Sequence, residues 1–212
     1  MSKNNITEEM LQEIREDISA RMSERRLLHT FGVEEMAARI AEIYCPEKVN
    51  LLRAAALLHD ITKELTVEEQ KEIVRAHNLE MSRDMQDAPS TQHAFTAALV
   101  IPELYPHLAD EEIICAVKYH TTGRADMTLS EKIIYLSDYI DSTRTYPDCV
   151  ELRDMFWGKD IARMSESERM MHLDTVMLRS FDLTIADLKA RNKNISRETA
   201  EARESLSNKI NA

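Results

Sequence analysis

Apolar residues return every three or four positions along almost the whole chain, and that period restricts what it can fold into. Leu11, Ile14, Ile18 and Met22 form one stripe, and Val33, Met36, Ile40 and Ile43 a second. Val176, Leu178, Phe181, Ile185 and Leu188 are available for packing on a late helix. Such spacing places each set on one side of a helix. Start signals agree. Thr7, Ser23 and Asp110 stand at N-cap positions, while Thr66 with Glu69 and Thr128 with Glu131 have capping-box spacing. The pattern predicts helices over about residues 8–22, 24–44, 46–59, 66–77, 89–102, 110–120 and 128–140. A last long helix runs from Ser165 to about Arg191. Asn78 to Pro89 reads as a polar connection in which Met81 and Met85 cover the core. Pro147 and Gly158 flank what reads as a mobile connection, and His172 as exposed. Residues 192–212 form a charged tail with a short helix near 198–206. The expected architecture is an all-α helical bundle, with one domain over residues 1–191 followed by that tail.

Charge narrows the function classes. The formal net charge is -11. A field of that sign attracts neither nucleic acid nor an anionic membrane surface, so neither is expected as a partner. A small anionic substrate would need local cations or a metal. Cys45, Cys115 and Cys149 are odd in number, far apart and without zinc spacing, which suits a reducing compartment. Residues 1–9 are polar, without an apolar signal core, and no apolar run approaches bilayer length, so a cytoplasmic location is expected. Lone glycines at 32, 123 and 158 make neither a P-loop nor a dinucleotide fingerprint. No nucleophile elbow is visible.

Several polar residues fall on apolar faces. Ala54 to Leu58 reads as the end of a buried helix, followed by His59-Asp60 and then Lys63. Burial of such a pair is costly without a partner, and a divalent metal is one partner that takes both an imidazole and a carboxylate. His29 lies four residues before Val33, on the inner stripe, with Arg26 one turn earlier. His93 shares a face with Ala97 and Val100. His120 ends the stripe of Ile113 and Val117, and Gly123 follows as a left-handed stop. Asp138 stands four after Ile134, where a carboxylate is unusual. Each has a plain alternative: a hydrogen-bonded core histidine, a buried ion pair, or for Lys63 a solvated lysine beside Glu64. Together they fall on core faces or ends of different helices, which a bundle can bring to one point.

The order His29, His59-Asp60, Asp138 resembles the HD-domain metal-dependent phosphohydrolases. More closely it resembles the YqeK-type bacterial symmetrical bis(5'-nucleosyl)-tetraphosphatases. The stretches carrying the resemblance are Arg26-Leu27-Leu28-His29-Thr30-Phe31-Gly32-Val33, Leu58-His59-Asp60-Ile61-Thr62-Lys63, Gln92-His93-Ala94 and Tyr119-His120-Thr121-Thr122-Gly123-Arg124. A fifth runs from Met127 to Lys132 and on through Ser137-Asp138-Tyr139-Ile140-Asp141. Asp141 stands where the family usually has Glu, and the chain after Arg191 lacks the family's Pro-rich turn. The resemblance implies that His29, His59, Asp60 and Asp138 bind metal: iron or another divalent transition metal, as one or two ions. It places His93 and His120 near the substrate phosphates or at a second metal position. Arg26, Lys63, Thr121 and Arg144 would bind phosphate or ribose, and Asp60, Lys63, His93 and His120 would serve catalysis. The implied reaction is symmetrical cleavage of diadenosine tetraphosphate to two ADP by a metal-activated water. The dinucleoside polyphosphate is then the partner, with a homodimer left open. Two alternatives remain: an HD-type nucleotidase acting on mononucleotides, and a non-catalytic nucleotide-sensing helical module.

Overall fold

The computed structural model describes residues 6–211; the first five residues of the polar N-terminal stretch lie outside it. Among the described residues all regular structure is helical. The principal helices are α1 (Glu8–Arg21), α2 (Glu24–Tyr44), α3 (Val49–Leu58), α4 (Val67–Ala76), α5 (Arg83–Asp87) and α6 (Gln92–Leu104). They continue as α7 (Glu111–Lys118), α8 (Leu129–Ile140), α9 (Pro147–Trp157), α10 (Glu166–Ala190) and α11 (Arg197–Ile210). No described helix is long and apolar enough to cross a membrane.

Caps set the starts. Thr7 and Ser23 accept from the backbone N–H three residues on, and Asp110 from Glu112. Thr66–Glu69, Thr128–Glu131 and Ser165–Glu168 form complete capping boxes. Each such cap stabilises its helix by about 1 kcal/mol.

The hub is α3. Leu52 and every residue from Ala54 to Leu58 are fully buried. Its neighbours are α1, α2, α7 and α8. Three consecutive alanines keep this helix thin, so neighbours pack closely around it. The chain that leaves it, at His59 and Asp60, therefore emerges in the interior.

Two expectations are corrected. Residues 147–157 are a helix, not a mobile connection. Cys149, Leu152 and Phe156 bury one face, Pro147 occupies the first turn, and Gly158 is the C-cap. Proline at the start and glycine at the end delimit this helix. His172 is half-buried: its Nε2 donates to the Phe156 carbonyl at 3.0 Å and its ring stacks on Phe156. Within the polar connection at 78–89, Ser82 caps the short α5, and Met81 is buried. The tail helix packs on α10 and sends Ala202 and Leu206 into the core.

Gly123 locks the corner between α7 and α8. Its φ is +65°, and a Cβ there would lie 2.6 Å from the Phe181 ring and 3.1 Å from Ala202. Left-handed backbone strain and overpacking combine. Gly123→Ala should lower unfolding stability by about 2–4 kcal/mol, measured by chemical denaturation; an unchanged midpoint would show that α10 and α11 yield at this corner.

Candidate metal centre

The site is assembled around the exit from α3. His59 sits at the C-cap, and its Nδ1 lies 2.5 Å from the Ala56 carbonyl oxygen. A carbonyl only accepts, so Nδ1 carries the proton and Nε2 presents its lone pair. His120 repeats this arrangement just beyond α7, with Nδ1 2.7 Å from the Val117 carbonyl. His29, on the inner face of α2, has Nδ1 3.2 Å from Asp141 Oδ2. For His59 and His120 one nitrogen is held by a carbonyl and the other points into the cluster, which is how proteins orient imidazole ligands, while His29 Nδ1 faces the Asp141 carboxylate.

The carboxylates lie among these Nε2 atoms. Asp60 is only 3% exposed. Its Oδ2 pairs with Arg26 Nη1 and lies 3.4 Å from His59 Nε2 and 3.9 Å from His29 Nε2. Its Oδ1 lies 3.2 Å from His93 Nε2 and 3.7 Å from His120 Nε2. Asp138, on α8, pairs with Arg144 Nη2, and its Oδ1 is 2.9 Å from His29 Nε2 and 3.8 Å from His59 Nε2.

These donors fit a divalent ion. Nε2 of His29 and of His59 are buried and make no hydrogen bond, despite the nearby carboxylates. Imidazole nitrogens converging beside carboxylate oxygens suit a shared cation, which would take the place of the proton that His29 carries without it. Two overlapping sets could hold an ion: His29, His59 and Asp138, and His59, Asp60 and His120, the donor atoms of each lying within 4.8 Å of one another.

Protonation reflects the crowding. Burial works against a charged His29, but Asp138 and Asp141 outweigh it and raise the ring to about 9. Burial pulls His93 down to about 4 against the opposing pull of Asp60, leaving the ring neutral. Burial would push Asp60 up, yet His59, His120 and His93 hold it well below the usual carboxylate range. For Asp138 burial is likewise overcome, chiefly by Arg144 and then by His29. Lys63 is lowered by burial despite the carboxylates of Asp60 and Asp138.

All ten residues singled out from the sequence lie in or beside this cluster. Lys63 Nζ approaches both ring nitrogens of His93, at 3.3 and 3.1 Å, while its chain neighbour Glu64 turns away to bond Ser23. Thr121 Oγ1 lies 3.2 Å from His93 Nε2 and 3.0 Å from His120 Nε2. Arg124, from the same motif as Thr121, faces Glu131 instead. Sequence reasoning gave no role to Asp141, the oxygen partner of His29. The signal available was its i, i+3 spacing from Asp138. Its approach depends on Gly32, where a Cβ would meet Asp141 Oδ1 at 2.8 Å and Thr143 Cγ2 at 3.0 Å. Thr62 was also overlooked; its hydroxyl donates to the His93 carbonyl at 2.8 Å and fixes the start of α6.

Two clefts open from the cluster. One, of about 370 Å³, is lined by Arg25, Arg26, Leu28, His29 and Thr143. The other, of about 480 Å³, is lined by His120, Thr121, Tyr139, Pro147 and Leu188. Lys63, Asp138, Arg144 and Tyr146 border both.

Known proteins resemble this chain in sequence and fold. The HD domain family matches residues 26–143. The symmetrical bis(5'-nucleosyl)-tetraphosphatase of Staphylococcus aureus (strain NCTC 8325 / PS 47) is 35% identical over 140 residues, covering 66% of this chain and 70% of that protein. The protein of the same name from Bacillus subtilis (strain 168) is 33% identical over 138 residues, covering 65% and 73%. A crystal structure described as a predicted HD superfamily hydrolase involved in NAD metabolism, from Clostridium acetobutylicum, superposes with a TM-score of 0.81 at 29% identity. It covers 93% of this chain and 97% of the other. With more than half of its length matched, and its histidines and aspartates gathered at the end of one buried helix, the chain belongs to the HD-domain family.

Proposed function

We infer that this protein is a metal-dependent hydrolase that cleaves diadenosine tetraphosphate symmetrically into two ADP. The observation that carries this reading is the meeting of two clefts at one His/Asp cluster bordered by Lys63 and Arg144. Cations between two recesses suit a polyphosphate bridging two nucleosides, whereas a mononucleotide would fill one recess. The symmetrical tetraphosphatase relatives support the same substrate. The complete donor set speaks against a non-catalytic module.

His29, His59, Asp60 and Asp138 would hold the ion, with iron the metal we favour, and His120 with Asp60 would complete a second position. When bound, the ion supplies Lewis acidity and lowers the pKa of a coordinated water. Arg26 and Arg144 neutralise Asp60 and Asp138, and both line the cleft, where their remaining N–H groups would meet phosphate oxygens. His93, neutral and beside Lys63, hydrogen-bonds a non-bridging oxygen, and Thr121 orients the paired rings. Attack by water at an inner phosphorus breaks its bond to the oxygen joining the two central phosphates. Lys63 stabilises the charge that grows on that leaving oxygen.

Four outcomes are expected. Purified protein should carry a transition metal, and Asp60→Ala should lose most of it while keeping its helical circular dichroism; full metal content and activity in that variant would remove Asp60 from the site. Lys63→Met should lose about a hundredfold in turnover, about 3 kcal/mol, with metal content unchanged. The wild-type product should be ADP alone, since AMP with ATP would place attack at another phosphorus. Finally, a ligand imidazole must be neutral, and His29 without metal is raised to about 9. Metal uptake near neutral pH should therefore release a proton, and affinity should rise with pH up to about 9. Calorimetry in buffers of different ionisation enthalpy measures this, and a proton-neutral uptake would sink the His29 assignment.

A further inference from the structure

Large apolar side chains on the surface of this protein are few, and the two most exposed stand at the clefts. Leu28 and Tyr146 are each 64% exposed, more than any other large hydrophobic residue among those described. Leu28 lines the smaller cleft, and Tyr146 borders both. The other tyrosines of the larger cleft are committed elsewhere. Tyr135 is buried against Phe181, and the Tyr139 hydroxyl bonds Thr184.

The backbone that carries Tyr146 is braced. Asp141 accepts from the Thr143 N–H at 2.9 Å, and the Arg144 N–H donates to the Asp141 carbonyl at 3.2 Å. Arg153 reaches from α9 to donate to the carbonyls of Ile140 at 2.8 Å and Arg144 at 2.7 Å. Tyr146 precedes Pro147, which confines it to extended backbone, and its φ of -64° and ψ of 141° comply. An aromatic ring held in water by a fixed backbone, two residues from the arginine on Asp138, is placed to meet a ligand whose charged part lies on that arginine.

We propose that Tyr146 is a nucleobase platform: it stacks on the base of the nucleotide in the larger cleft, whose apolar walls include Pro147 and Leu188, while Leu28 gives the smaller cleft its apolar contact. The proposal rests on the reading of this site as a nucleotide polyphosphate hydrolase. It identifies the side chains that grip the two ends of the substrate, whereas Arg26, Lys63 and Arg144 grip its middle. Stacking is tolerant of base identity, so Tyr146 sets affinity for nucleosides over bare polyphosphate and does not select adenine.

The test measures binding of ADP and of inorganic pyrophosphate to the metal-loaded enzyme by calorimetry, for wild type, Tyr146→Ala and Tyr146→Phe. Tyr146→Ala should weaken ADP roughly tenfold or more. Pyrophosphate should bind all three within twofold, and Tyr146→Phe should restore ADP affinity. KM for diadenosine tetraphosphate should rise in Tyr146→Ala in step with the loss of ADP affinity. Unchanged ADP affinity in Tyr146→Ala, an equal loss for pyrophosphate, or failure of phenylalanine to rescue would each overturn the proposal. Because binding is read without turnover, the two conclusions separate. A wild type that fails to cleave the dinucleotide but loses ADP affinity without Tyr146 defeats the reaction assigned above and keeps the platform.

Discussion

The fold is built to keep one carboxylate away from water. Asp60 follows a helix enclosed by its neighbours, and an ionised carboxylate in such a place is strongly disfavoured unless compensated. Compensation arrives from four directions: Arg26 from α2, His59 from the adjacent residue, His93 from α6, and His120 from the end of α7. Of the helices packed on α3, α2 and α7 also deliver polar groups that its end requires, and α6, packed on α7, adds His93. Core packing and site chemistry share one scaffold, so displacement of a helix is felt first at Asp60.

The site divides between a deep and a shallow part. The imidazoles and Asp60 are buried and issue from helices or from residues at helix ends. Asp141, Thr143, Arg144 and Tyr146 come from one loop between α8 and α9, tied down by Arg153 and approached closely by Gly32. The deep part offers donor atoms whose arrangement resists change. The shallow part presents the charge of Arg144 and the exposed ring of Tyr146 to whatever enters, while Asp141, fully buried, reaches back to support the centre.

Much of this was legible in the sequence because helical periodicity assigns directions as well as elements. His29 fell on the stripe of Val33 and Met36, and Asp138 on that of Ile134, so inward orientation followed from spacing alone. The capping pairs marked the helix starts. Residues 147–157 read as a connection because Pro147 and Gly158 look like breakers; with the apolar face of Cys149, Leu152 and Phe156 between them, they are the boundaries of a helix. Asp141 carries only the weak signal of its i, i+3 spacing from Asp138. It caps the end of α8, where the helical phase no longer predicts direction, and its approach to His29 is a tertiary event permitted by a missing Cβ. Clefts are likewise invisible to a one-dimensional pattern, since their walls come from segments far apart in the chain.

The carbonyl bonds that orient His59 and His120 each span three residues, whereas the oxygen that faces His29 lies on another helix end far along the chain. Two imidazoles are thus aimed by instructions written within a single turn, and the third by the finished tertiary structure. The first pair is oriented by contacts within its own turns, whereas the oxygen facing His29 comes from a segment made long after α2. Competence of the centre consequently waits on the α8–α9 loop, so an incompletely folded chain offers only part of its donor set and holds cations weakly until that loop is in place.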